Sequence, residues 1–250
     1  MHILLINPNT TETITQRMGE IAVGLVAPAT RITAVTGRFG ARYVSSRASY
    51  AIAGHAALDA YAAHGGDADA VLLACFGDPG LMALKEIASQ PVVGMAEASC
   101  LTASALGGRF AIVTGGARWH AMLEEFVRGL GLEARLAGIA TVAPTGGEIA
   151  ADPDRALGLL TDACIQCVDR YGADSVILAG AGLAGLAGRI ADRVPVPLID
   201  SLAASVGLAE GLARAATRKA HVGSFATTPT VDTVGLSPEL TRLFDRPRRD

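Results

Sequence analysis

Residues 68–80, with the sequence ADAVLLACFGDPG, decide the fold, because residues 173–182, ADSVILAGAG, repeat them in the second half of the chain. Each copy is a short apolar run with the length and β-branched content of a buried parallel strand, followed by a glycine-marked turn and a helical pattern. When the two copies are superposed, Cys75 falls on Gly180. The repeat predicts a chain built from two copies of one α/β unit.

The flanks of the two copies repeat as well. Residues 3–8 (ILLINP) match residues 110–115 (FAIVTG), and residues 91–94 (PVVG) match residues 197–200 (PLID). We therefore predict an α/β fold with two pseudo-symmetric Rossmann- or flavodoxin-like domains. Each would be a mostly parallel sheet flanked by helices, with the functional site in the cleft between the domains.

The predicted domains are not contiguous in sequence. The first combines residues 1–100 with about 206–250, and the second comprises residues 101–205. A long helix predicted over residues 201–217 would carry the chain back to the first domain, where residues 220–224 would add one last strand.

Composition limits the partners of the protein. Of 250 residues, 50% are hydrophobic and 18% are charged, which suits a globular protein with one large core or two ordinary ones. The apolar runs are too short for a signal-peptide core or a membrane span, so we expect a cytoplasmic protein without a membrane partner. A net charge of −3 without a basic face argues against nucleic acid, and the basic residues 246–249 read as a solvated terminus.

The four cysteines, at positions 75, 100, 164 and 167, have no secretory context, so a disulfide framework is not expected. Cys164 and Cys167 lie one turn apart in a helix predicted over residues 155–171. A second pair of metal ligands is missing, and His120 belongs to another element. Burial as small helix residues is therefore favoured over a metal or redox role.

The first strand ends in a polar turn. Strand residues 2–6 lead through Asn7 to a helix over residues 12–26, which Asn9 or Thr10 would cap. Because ligands of open α/β folds bind at the carboxyl ends of the strands, we expect Asn7 and Thr10 to point into the cleft. The alternative is that both residues serve the turn alone. Thr114 takes the position of Asn7 in the second copy and is followed by Gly115.

A loop between the second strand and a helix predicted over residues 48–64 carries three arginines. Arg38, Arg42 and Arg47 are candidate contacts for an anionic ligand, although exposed arginines are commonly just solvated.

Cys75 is the candidate for nucleophilic or proton-transfer chemistry. The strand over residues 71–74 delivers it to a strand-to-helix turn, where free N–H groups and a helix starting near Pro79 would lower the pKa of its thiol. The alternative is a cysteine buried as a small hydrophobic residue.

A competing interpretation comes from residues 180–185, GAGLAG. They fit the G-x-G-x-x-G pattern of dinucleotide binding, and Asp200 follows at a suitable distance. This pattern would indicate an NAD- or flavin-dependent oxidoreductase. The equivalent residues 75–80, CFGDPG, cannot form such a loop, so the glycines are better explained by a turn common to both copies.

At these residues the sequence resembles the Asp/Glu/hydantoin racemase superfamily, and most closely the hydantoin and allantoin racemases. The resemblance covers almost the whole chain and rests on residues 6–10, 74–76, 78–81, 91–94, 97–98, 181–183 and 224–226. It implies two α/β domains related by pseudo-twofold symmetry, a cofactor-free site between them, a small-molecule substrate and an oligomer.

The resemblance also implies a mechanism. In that family one cysteine thiolate removes the proton from the α-carbon and a second cysteine returns it on the opposite face. Cys75 matches the first cysteine. Backbone N–H groups of Phe76, Gly77, Ala181 and Gly182 would stabilise the enolate oxygen, and Asn7, Thr10, Thr114 and Gly115 would hold polar groups of the substrate.

The sequence departs from the family at the second cysteine, because Gly180 occupies that position. Related arylmalonate decarboxylases use one cysteine, but theirs matches position 180 and their glycine matches position 75. Three interpretations remain open: a racemase altered at position 180, a one-thiol enzyme that transfers protons on one face, or a non-catalytic small-molecule binding protein. The expected substrate is a hydantoin, an allantoin-like compound or another amino-acid derivative with an acidic C–H beside a carbonyl.

Overall fold

The computed structural model describes residues 1–216, 219–226 and 229–245. Its framework is a pair of four-stranded parallel sheets, the first in the order β2-β1-β3-β4 and the second in the order β6-β5-β7-β8. The strands are His2–Asn7 (β1), Arg31–Thr36 (β2), Ala70–Leu73 (β3), Val92–Gly94 (β4), Phe110–Gly115 (β5), Leu136–Val142 (β6), Ser175–Ala179 (β7) and Leu198–Asp200 (β8).

Helices follow most of the strands, as parallel pairing requires a crossover between neighbours. They are Glu12–Val23 (α1), Arg47–His64 (α2), Leu81–Ile87 (α3), Met95–Leu106 (α4), Trp119–Gly129 (α5), Gly146–Ala151 (α6), Pro153–Tyr171 (α7), Ala187–Ile190 (α8), Ser201–Arg214 (α9) and Pro238–Phe244 (α10). No helix in the described ranges is long and apolar enough to cross a membrane.

The two sheets have the same strand order, which confirms the predicted pair of α/β units. The register is also equivalent, since Ile6 of β1 lies beside Leu73 of β3 and Val113 of β5 beside Leu178 of β7. The chain therefore leaves β3 toward Cys75 and β7 toward Gly180 at matching places.

Helices α4 and α9 hold the two sheets together. They pack on each other, and each also contacts strands of both sheets. Close packing of these helices is possible because their buried positions carry small side chains, among them Cys100, Ala103, Ser205 and Ala209. The small size of Cys100 thus serves the packing of α4 against α9.

Several local predictions were wrong. Residues 220–224 form turns and bends rather than a strand. Helix α1 ends at Val23 instead of residue 26, and its N-cap is Thr11, without a side-chain cap hydrogen bond. Asn9 instead accepts a hydrogen bond from the Thr11 N–H, which closes the turn.

The domain boundaries stay predictions. Residue 100 lies inside α4 and residue 205 inside α9, the two helices between the sheets. Helix α10 packs on α2 of the first unit, in keeping with the assignment of the C-terminal segment to that unit. The predicted end of the long helix, Thr217, and the basic residues 246–249 lie outside the described residues.

Candidate active site

A small, partly enclosed cavity lies between the carboxyl ends of β3 and β7, with Cys75 and Gly180 both in its wall. Its volume is about 40 Å³, room for a few water molecules. The lining residues are Asn9, Ile14, Tyr43, Val44, Cys75, Phe76, Thr114, Trp119, Gly146, Ala179, Gly180, Ala181, Gly182 and Leu183. A substituted hydantoin needs more space than this volume provides.

The cavity brings together six of the predicted site residues, namely Cys75, Phe76, Thr114, Gly180, Ala181 and Gly182. Four others lie outside its wall. Gly77 faces the ring of Trp119, Gly115 is engaged by Tyr43, and Thr10 donates its backbone N–H to Ala41.

Asn7 is buried behind the cavity wall and, contrary to the prediction, does not line the cavity. Asn9 lines the cavity instead. The fully buried Asn7 amide donates to Asn9 Oδ1 at 3.0 Å and to Thr15 Oγ1 at 2.9 Å. Since Asn9 Oδ1 also accepts from the Thr11 N–H, the Asn9 Nδ2 group is oriented as a donor. It donates to no acceptor among the residues that the structure describes, so it is available to a substrate carbonyl.

Tyr43, which the sequence reasoning missed, closes the cavity between the two units. Its hydroxyl donates to the Gly115 carbonyl at 3.0 Å and accepts from Trp119 Nε1 at 3.2 Å and the Gly146 N–H at 3.3 Å. All three partners belong to the second unit, whereas Tyr43 follows β2 of the first. The residue is therefore a cross-link between the two units.

The environment of Cys75 raises the pKa of its thiol instead of lowering it. Burial and the nearby Asp78 carboxyl raise the pKa of Cys75 to about 12. The predicted stabilisation by a helix N-terminus fails because α3 begins only at Leu81, after Gly80. Exclusion of solvent from the thiol raises its pKa by more than the nearby backbone dipoles lower it.

Asp78 fixes the turn that carries Cys75. Its carboxylate oxygens accept the N–H groups of Ala96 and Glu97 at 2.8 Å each, at the start of α4. Its own N–H donates to the Cys75 carbonyl. Gly94 makes this approach possible, since a Cβ there would lie 2.1 Å from Asp78 Oδ2. Burial raises the pKa of Asp78 to about 8, against the opposing effect of the two N–H donors.

Gly180 has a backbone conformation that suits glycine. Its φ of 121° with ψ of 149° is essentially closed to other residues. Space is not the obstacle, because a Cβ would lie 3.8 Å from both Leu183 Cδ1 and Thr114 Oγ1. The Gly180 N–H donates to Ser201 Oγ at 3.3 Å, which holds the residue in place.

Backbone donors flank the cavity on both sides. The N–H groups of Phe76, Gly77, Ala181 and Gly182 donate to no acceptor within the described part of the chain. Thr114 Oγ1 donates to the Ala179 carbonyl at 2.9 Å, so toward a ligand this hydroxyl can only accept. The backbone N–H groups can thus bind a carbonyl or enolate oxygen of a ligand, and the Thr114 hydroxyl can accept one ligand N–H.

The G-x-G-x-x-G pattern has a structural explanation. Only a 3-10 turn, Ala181–Leu183, follows Gly180, so no helix N-terminus is available for a pyrophosphate. Gly182 is required by close packing, because a Cβ would lie 2.0 Å from the Gly146 carbonyl oxygen. Asp200 caps α9 and also accepts the Gly185 N–H. The geometry therefore disfavours the dinucleotide interpretation.

Cys164 and Cys167 are fully buried in α7. Burial raises the pKa of Cys164 to about 12 and that of Cys167 to about 11. No group of three or more metal-binding side chains occurs among the described residues.

We predict that Cys75 is the first cysteine to react with iodoacetamide, because it is 6% exposed and the other three are 0% exposed. With a raised pKa, the rate should keep climbing between about pH 7 and pH 10, instead of levelling off as for a free thiol. Peptide mapping at each pH gives the rates. Earlier labelling of Cys164 or Cys167 would place the reactive thiol elsewhere.

Asp78→Asn is the matched variant for the pH dependence of Cys75 labelling. Because the carboxyl ionises near pH 8, its charge opposes thiolate formation only above that pH. The variant and the unchanged protein should label at equal rates below about pH 8, and above it the variant should label up to about tenfold faster. Faster labelling at every pH would instead indicate a loosened turn.

The chain was compared with known proteins. The family model for Asp/Glu/hydantoin racemase matches residues 3–209. A hydantoin racemase from Paenarthrobacter aurescens is 36% identical over 216 residues, which are 85% of this chain and 91% of that protein. A second hydantoin racemase, from a Pseudomonas species, is 32% identical over 84% of this chain and 85% of that protein.

Solved structures agree with these matches. The crystal structure of allantoin racemase from Pseudomonas fluorescens superposes with a TM-score of 0.90 and 31% identity, covering 94% of this chain and 100% of that one. An arylmalonate decarboxylase structure covers 98% of this chain and 99% of that one with a TM-score of 0.61 and 20% identity, a likeness of fold alone. By the length and identity of these matches, the chain belongs to the Asp/Glu/hydantoin racemase family and is an enzyme of the isomerase class.

Proposed function

We propose that the protein is a cofactor-independent racemase-family enzyme acting on a hydantoin, allantoin or a related amino-acid derivative, with Cys75 as its proton carrier and Gly180 in place of the second carrier. One observation supports this most strongly. Cys75 and Gly180 lie at equivalent strand ends in the wall of one cavity, where a planar carbanion would need its acid and its base.

The proposed chemistry begins when the Cys75 thiolate takes the α-proton, which leaves the electron pair in an enolate. Free backbone N–H groups stabilise its oxygen, and one such donor contributes roughly 3 kcal/mol in a water-excluded site. The Cys75 thiol then returns a proton to the same face. Because glycine has no acid to offer on the other face, inversion is slow while exchange with solvent hydrogen is retained.

A one-cysteine decarboxylase is the second candidate, and the raised pKa of Cys75 favours it. Loss of carbon dioxide from a malonate leaves the same kind of enolate without any prior deprotonation. The catalytic group must then supply a proton, and a thiol that is protonated at rest is ready to do so.

The experiment that separates these functions is a substrate panel. It contains single enantiomers of 5-substituted hydantoins, allantoin, aspartate and glutamate, together with an arylmalonate, and is followed by chiral chromatography. Slow inversion or α-hydrogen exchange of a hydantoin or allantoin is expected. Decarboxylation of the malonate alone would favour the second candidate, and no reaction with any compound would favour a binding protein.

Two further proposals are a cytoplasmic location, which rests on the short apolar runs of the sequence, and an oligomeric assembly, which the family resemblance supports. Size-exclusion chromatography with light scattering tests the second.

A further inference from the structure

A second cavity adjoins the candidate active site in the groove between α1 and α6. This vestibule has a volume of about 360 Å³ and is lined by Thr11, Thr13, Ile14, Arg17, Arg42, Tyr43, Gly147, Ala150, Ala151 and Ala181. Ile14, Tyr43 and Ala181 also form part of the wall of the cavity that contains Cys75. A ligand whose reacting carbon sits beside Cys75 would therefore extend a substituent past these three residues into the vestibule.

The lining of the vestibule carries positive charge and no acidic side chain. Arg17 and Arg42 are the charged residues of its lining, and neither forms an ion pair among the described residues. The neighbouring arginines of the Arg42 loop differ, since Arg38 pairs with Asp59 and Arg47 with Glu125. Two uncompensated guanidinium groups thus face one groove.

The two arginines are held in different ways. Arg17 is half-buried and reaches from α1 to the Ala150 and Ala184 carbonyls, both at a long 3.4 Å. These contacts use two of its five N–H donors. The Arg42 backbone carbonyl accepts the Thr11 hydroxyl at 2.8 Å, which anchors its loop to the start of α1. The exposed guanidinium of Arg42 remains available to a ligand.

We propose that the vestibule is a specificity subsite for a carboxylate, and that the preferred substrate is a hydantoin whose 5-substituent ends in a carboxylate. This inference rests on the proposed function. A guanidinium presents paired N–H donors in the spacing of a carboxylate, and a partly enclosed groove strengthens such a charge-assisted pair. A neutral or cationic substituent would leave both arginines uncompensated.

The test compares two ligands that differ only in charge, 5-(2-carboxyethyl)hydantoin and 5-(2-carbamoylethyl)hydantoin. Calorimetry with the full chain should show at least about tenfold tighter binding of the acid, the preference given by one hydrogen bond to a charged group. Arg42→Gln should remove most of that preference. Arg47→Gln removes the same charge at the start of α2, outside the vestibule, and it should keep the preference.

The outcomes separate the two proposals. Equal affinity of both ligands for the unchanged protein, or equal loss in Arg42→Gln and Arg47→Gln, overturns the carboxylate subsite and leaves the proposed function standing. Binding of neither ligand, with Cys75 unprotected from iodoacetamide by both, overturns the subsite together with the hydantoin function. Thermal melting confirms that each variant is folded before its affinity is compared.

Discussion

Gly180→Cys is expected to raise the rate of inversion of the protein's substrate by about 10²- to 10⁴-fold, the usual contribution of a positioned acid or base. The new thiol would stand across the cavity from Cys75, on the face of the carbanion where the unchanged protein has no proton donor. A Cβ at this position meets nothing closer than 3.8 Å, so the new side chain causes no steric clash at Cβ. Chiral chromatography of a single enantiomer over time measures the gain.

The backbone limits the size of this gain. A φ of 121° costs a non-glycine residue about 1–3 kcal/mol unless the turn rearranges. Gly180→Ala carries the same strain without a thiol and is therefore the control. Inversion restored equally by alanine would mean that backbone rearrangement, not a second proton carrier, is responsible. Inversion absent from both variants, with thermal melting unchanged, would argue against racemase geometry at this site.

The second large effect is expected from Cys75→Ala, which should reduce exchange of the substrate's α-hydrogen by about 10²- to 10⁴-fold. No other thiol lines the cavity, so nothing in its wall replaces the lost base. Cys164→Ala is the matched control, since it also removes a buried thiol but lies in α7 away from the cavity. Comparable losses in both variants would point to a general loss of structure.

The repeated strands could be predicted from sequence because each signal is local. An apolar run and the glycine after it specify a buried strand and its turn, and a second copy with the same spacing specifies the same register. Six residues of the candidate site could be predicted from those turns, since they lie at the ends of the predicted strands and line one cavity.

The cross-link through Tyr43 could not be predicted in this way. Its hydroxyl forms hydrogen bonds with Gly115, Trp119 and Gly146 of the other unit. These partners lie 72, 76 and 103 positions further along the chain. No local pattern marks a tyrosine in a loop for such contacts.

The pKa of Cys75 was mispredicted for a related reason. The sequence places a helix after the cysteine but does not reveal that Asp78 and Gly80 delay that helix, or that both units bury the thiol. Burial of a thiol is a property of the assembled fold, and here it decides the direction of the pKa shift.

In each unit an aspartate caps the helix that follows the last strand of the sheet, but the two aspartates come from different positions in the repeat. In the first unit Asp78 reaches from the turn after β3 to the N-terminus of α4. In the second unit Asp200 stands at the N-terminus of α9 and reaches back to Gly185 in the segment after β7. A repeat therefore predicts the shared framework better than the side chains that complete it.

The most direct test of the central claim, that Cys75 moves the α-proton on one face and Gly180 leaves the other face without a carrier, is NMR in D₂O with each enantiomer of the substrate separately. We predict that one enantiomer exchanges its α-hydrogen for deuterium with little inversion, and that the other barely exchanges. Equal exchange of both enantiomers with inversion by the unchanged protein, or exchange that survives Cys75→Ala, would contradict the account.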